Sequence, residues 1–252
     1  MTRTGFGKSK LAAALLAFPL VLTPLAAGAE QGPVTAPLQS ETAQVDQAAD
    51  SQISENRLLS RLILVENRAK IAEVLAKLAN QPQMRIEQAL RDKGTRATLE
   101  RFDVSLAKFA VAIEPHWTTV VRQAEAEGQL TGLQAQLLLQ RIAEGYGTDA
   151  DEARPQIGPV RDLARMEGRT LTNQALAELS GKSLGQVQSL IGEIGNREAA
   201  AALAIAPDAL QQAVVAKIKA RIEAAASDGR IATGQAAKLL DGLSANSGQN
   251  SG

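Results

Sequence analysis

ENRLLSRLILVENRAKIAEVLAKLA, residues 55–79, decides the class of this chain. Leu58, Leu62, Val65, Ala69, Ala72, Ala76 and Ala79 alternate at spacings of four and three, the step that returns a side chain to one face of an α-helix. Leu64, Ile71, Leu75 and Leu78 widen that stripe. The spacing predicts one long helix from about Glu55 to Ala79, stopped by Pro82. The stripe is also a heptad seam that can take up a partner helix or a second copy of itself. Alanine at Ala69, Ala72, Ala76 and Ala79 suits packing within the chain equally well.

The same period continues toward the C-terminus. A short helix around Met84–Lys93 stops at Gly94, and Thr95 or Thr98 caps the next. Leu99, Phe102, Leu106, Phe109 and Ile113 then keep helical steps, with Pro115 at a first helical position or a kink. Trp117, Val120, Val121 and Ala124 carry the pattern to Gly128, and Thr131 opens a helix through Leu133, Leu137, Leu138 and Ile142. GYGTDADEARPQIGP is the longest irregular stretch and the best internal boundary. Short helices follow at Val160–Met166, Asn173–Leu179, Leu184–Ile194 and Arg197–Ile205, then Asp208–Ala226 and Thr233–Leu243. No window alternates with the period of a strand. The class is all-α: a multi-helix bundle with a long N-terminal helix (residues 53–145) and a second, Ala-rich cluster of short helical hairpins (residues 159–244), with a disordered tail from Ala245.

Upstream, residues 30–52 are polar and Pro-containing and read as a flexible linker. Residues 1–29 have the layout of a cleaved secretory signal. Arg3, Lys8 and Lys10 precede an apolar run from Leu11 to Ala26, interrupted by Pro19 and Pro24 and closed by Ala27-Gly28-Ala29. A membrane span would need about twenty unbroken apolar residues. The expectation is cleavage near Ala29-Glu30, a periplasmic or secreted location, and no stable membrane insertion afterwards.

Losing the leader removes three of 27 basic residues and none of 27 acidic ones, which leaves 24 against 27. That mild acidity provides no polyanion-binding footprint, so no nucleic-acid partner is expected. There are no cysteines, hence no disulfide and no lipid-attachment cysteine. Aromatics are 2% of the chain, too few for a sugar- or base-stacking surface.

Three segments share helix, glycine and return helix, aligned on Gly128, Gly168 and Gly229, each with Gln-Ala six residues on (Gln134-Ala135, Gln174-Ala175, Gln235-Ala236). They read as hairpins in which glycine takes a left-handed C-cap and Thr131, Thr172 or Thr233 caps the return helix. The spacing is similar to an EF-hand calcium loop, but the twelfth position holds Gln134 or Gln235 instead of a bidentate Glu, and Ala224 and Ala226 stand at ligand positions. A hard dication is not held by that set.

Residues 174–191 resemble the helix-turn-helix of lactose-repressor-type DNA-binding proteins, through Ala177, Gly181, Val187 and Leu190. The would-be recognition helix carries no Lys or Arg. DNA binding is the expectation only if residues 1–29 are not a signal. Leu130-Thr131-Gly132-Leu133-Gln134 matches the LTxxQ motif of Spy/CpxP-type periplasmic stress chaperones, with a partial second copy at Leu171-Thr172-Asn173-Gln174. That resemblance implies an exported, all-helical holdase.

His116 is the only histidine, next to Pro115 and Trp117 in what reads as a surface or packing position. Asp149, Asp151 and Glu152 form an acidic loop, and no phosphate loop or nucleophile elbow is present. The sequence therefore assigns no catalytic, cofactor-binding or metal-ligating residue and identifies no small molecule. It points to a non-enzymatic structural or protein-interaction role in the cell envelope, with a protein partner or self-association; a deep pocket holding two buried carboxylates, or an inward-facing His116, would instead point to an enzyme.

Overall fold

Leu59, Leu62, Ile63 and Leu75 are almost fully buried, because the helix that carries them is wrapped by its neighbours along its C-terminal half. In the computed structural model, which describes residues 39–145 and 159–248, this helix is α1 (Gln39–Ala79). It begins at Gln39, inside the stretch read as linker. Its buried face is also rotated from the seam read in the sequence, since Ala69 is exposed and Ala76 and Ala79 are half-buried. The leader, residues 30–38 of the linker, the loop with Asp149, Asp151 and Glu152, and the last four residues lie outside the described residues, while the final helix runs to Gly248, four residues into the stretch read as a disordered tail.

The other helices are α2 (Gln83–Arg101), α3 (Leu106–Ala126), α4 (Gly132–Ala143), α5 (Val160–Ser180), α6 (Leu184–Ile194), α7 (Asn196–Ala202), α8 (Pro207–Ser227) and α9 (Thr233–Gly248). The described residues contain these nine helices and no strand, so the chain is an all-α multi-helix bundle. One hydrophobic core runs from Leu58 to Leu243 through both segments that the sequence separates.

Two local readings change. The chain does not run helical from Leu99 to Ile113: Asp103 is left-handed (φ 52°), and Ser105 caps α3 afresh by accepting from the Lys108 N–H. Pro115 lies inside α3 without ending it. The larger correction concerns Gly168, which is no turn. It sits buried in the middle of α5, a single 21-residue helix where two short ones were expected. Thr172, expected as a cap, donates its hydroxyl to the Gly168 carbonyl one turn back. A Cβ at Gly168 would lie 2.6 Å from Asn56 Oδ1 of α1, so the glycine is there to let α1 and α5 pack closely.

The true repeat is longer than a hairpin. The bounds of α8 lie 101 residues after those of α3 (207 against 106, 227 against 126), and α6 starts at the same offset from α2 (184 against 83). Left-handed residues recur in step: Asn80 and Gly181, Gly94 and Gly195, Asp103 and Ala204, Gly128 and Gly229. α2 bends at Gly94 where α6 hands over to α7 at Gly195. The chain is thus two copies of one helical unit, α1–α4 and α5–α9. The copies are interlocked, because α4 packs on α5 while α9 packs on α1.

Candidate functional site

Glu66 follows Leu62 by one helical turn on α1, and Glu167 follows Leu163 by one turn on α5. The two are equivalent positions of the repeat, and each puts a carboxylate on the stripe that faces the other half. Glu167 is 1% exposed. Charges so placed need partners, and both are met by one guanidinium. Arg221 of α8 donates Nε to Glu167 Oε1 (2.8 Å) and Nη1 and Nη2 to Glu66 Oε1 and Oε2 (2.9 and 3.1 Å). Arg230, in the turn before α9, adds Nη1 to Glu66 Oε1 (2.7 Å) and gives Nη2 to Asp228 (3.0 Å).

Burial pushes the Glu167 carboxyl above the usual range and Arg221 offsets only part of that, while Glu66 adds to the rise. Burial also works against the charge on Arg221, but Glu167 and Glu66 outweigh it and hold the guanidinium ionised.

These side chains form one wall of a cleft of about 220 Å³. Ile63, Val120 and Leu163 contribute apolar lining, and His116, Thr119 and Glu127 of the α3 region face it from the other side. His116 is half-buried, with its ring 5.4 Å from that of Trp117, and it lines this cleft. Asn67 donates Nδ2 to the Ile63 carbonyl (2.7 Å), so its Oδ1 accepts from His116 Nε2 (2.8 Å). That leaves His116 Nδ1 as an acceptor without a hydrogen-bond partner among the described residues. Burial lowers the His116 pKa, Lys70 lowers it further and Glu73 opposes, so the ring is neutral at physiological pH. Glu127 accepts from Gln123 Nε2 (2.7 Å) and Gln129 Nε2 (2.6 Å).

The motif residues singled out in the sequence are used elsewhere. Thr131 and Gln134 make a reciprocal capping box on α4, and Gln134 Nε2 also reaches the Met166 carbonyl of α5. Gln235 bonds back to the Ala232 N–H in the equivalent place, so Thr233 is one residue inside α9 and is not its cap. Both glutamines thus turn onto their own helix ends. The helix-turn-helix-like segment is the α5–α6 corner, with Gly181 left-handed and Ser183 capping, and the α1–α2 corner repeats it.

Among the described residues no three His, Cys, Asp or Glu side chains gather to hold a metal ion, and no single helix is long and apolar enough to cross a membrane. No family model, curated protein or solved structure matches this chain.

Proposed function

We propose that this is an exported, non-enzymatic interaction protein of the cell envelope, with recognition seated in the cleft between its two halves. The observation that carries this reading is the pairing of Glu66 and Glu167 with one shared Arg221. Both Glu66 oxygens are held by guanidinium N–H groups, which takes that carboxylate out of proton transfer. Such a network fixes the shape and polarity of a binding surface. The leader pattern of residues 1–29 supports export.

The test is fractionation and intact mass of the native protein, followed by photocrosslinking from position 119 at the cleft and, as a control, from exposed position 198. A mature chain starting at Glu30, with discrete crosslinks from 119 alone, is the expected result. An uncleaved species, or equal labelling from both positions, overturns it. A holdase is the second reading, favoured by Leu133 and Leu137, exposed one turn apart on α4 directly after the LTxxQ threonine. It requires aggregation of an unfolding client to be suppressed, and that suppression to be lost in a Leu133→Ser/Leu137→Ser variant.

A further inference from the structure

The turns after α3 and α8 are copies of one another. In each, the residue before the left-handed glycine is acidic, Glu127 or Asp228, and the residue after it bonds back to that acid, Gln129 at 2.6 Å and Arg230 at 3.0 Å. Backbone bonding is also matched, with Gln129 and Leu130 N–H both on the Ala124 carbonyl and Arg230 and Ile231 N–H both on that of Ala225. Glu127, Gln129 and Arg230 all line the cleft. Duplication has therefore placed two equivalent turns at one cavity, and they differ in the residue after the glycine, a neutral Gln129 in one and a cationic Arg230 in the other.

Each end has an exchangeable partner. Arg230 is anchored by Nη1 to Glu66, whose side chain is only 10% exposed, but its Nη2 goes to Asp228, which is 59% exposed. Exposed ion pairs contribute little, so an incoming carboxylate can replace Asp228 at low cost. Among the described residues Glu127 is held by two neutral amides alone, and an ammonium offers it a stronger, charge-assisted bond. His116 and the apolar side chains of Ile63, Val120 and Leu163 line the same cleft. We propose that the cleft binds a small zwitterion, an amino acid or short peptide, with its carboxylate on Arg230 and its ammonium at Glu127. This rests on the reading of the cleft as a recognition site and names the ligand class.

The probe is L-alanyl-L-alanine, compared with its N-acetyl and C-amide forms, followed by amide shifts of the ¹⁵N-labelled protein. Saturable shifts at Gln129 and Arg230 are expected, and blocking either terminus should weaken binding by roughly tenfold, the loss of one charge-assisted bond. Arg230→Gln should remove the preference for the free carboxylate and keep that for the ammonium. Asp228→Asn, which leaves the Glu66 network intact, should tighten dialanine binding a few-fold by removing the competing acid. Equal binding of blocked and free forms overturns the proposal, as does the absence of any saturable shift with dialanine and with each free amino acid. The mass of the dipeptide after incubation separates the two readings. Intact dialanine supports the non-enzymatic role, while cleaved dialanine keeps the ligand class and overturns that role.

Discussion

Arg221 is shared by two carboxylates that come from equivalent places in the two halves, and it has no copy of itself, because the matching residue of α3 is Val120. Arg221→Met keeps the aliphatic stem and leaves Glu167 buried without its cation. Removing one partner of a buried pair costs about 3–5 kcal/mol, which lowers Tm by roughly 10 °C for a chain of this size. Glu167→Gln in the same background should recover part of the loss, and urea midpoints of the single and double variants measure both. Glu55 makes a second, independent test. It is 7% exposed, and burial lifts its carboxyl from 4.5 to about 7. Between those pH values the folded chain holds a proton that the unfolded chain has released. Its favourable contribution is therefore complete below pH 4.5 and lost as pH rises through about 7. That span is worth about 3 kcal/mol. Glu55→Gln and the parent should melt alike near pH 4, with the variant more stable near pH 8 by up to about 3 kcal/mol. Equal melting at both would show that Glu55 ionises freely in the folded state. At this scale one signal was present in the sequence: a glutamate one turn after a leucine on an apolar stripe, at Leu62–Glu66 and Leu163–Glu167. It had no visible meaning until Arg221, over fifty residues further on, was brought against both.

Gly168 shows why helix boundaries were legible from caps and periods but not from glycine alone. Gly128 and Gly229 punctuate helices and are left-handed, whereas Gly168 is helical and is set by the approach of α1. The difference lies in tertiary packing, which no local window contains. For Gly168→Ala, the added methyl gains helix propensity of about 1 kcal/mol but meets Asn56 Oδ1 at 2.6 Å. Among the described residues that oxygen is buried without a hydrogen-bond partner, so it has no polar contact to lose, only space. The variant should be destabilised by about 1–3 kcal/mol through overpacking. Asn56→Ala together with Gly168→Ala should restore stability to near the parent, a coupling of about 1 kcal/mol or more between neighbours. Additive effects in that double-mutant cycle would mean that α1 and α5 adjust their separation freely.

For the whole molecule, the all-α class was legible from periodicity, and the duplication was nearly so. Gly128/Gly229, Gln134/Gln235, Leu138/Leu239 and Glu66/Glu167 are identical at the 101-residue offset. Between them most positions keep only their character, as with Ile86 and Val187 or Trp117 and Ile218, which are buried in both halves. Burial constrains size and polarity and leaves identity free, so the shared fold survives where shared letters do not. The interlock has a thermodynamic consequence. α1 packs on α9 and α5 on α4, so neither copy can bury its own first helix without the last helix of the other. Gln134 and Thr170 bond across one of these contacts, Arg141 and Asp162 pair at the same place, and Gly242 approaches Leu58 at the other. Unfolding should therefore be one transition, with calorimetric and van't Hoff enthalpies equal. Leu138 and Leu239 are equivalent buried residues of α4 and α9. Truncating either to alanine costs about 2–5 kcal/mol, and each change should shift the same single endotherm downward. Two endotherms, with Leu138→Ala moving one and Leu239→Ala the other, would mean that the halves fold as separate domains and that the cleft between them is a hinge.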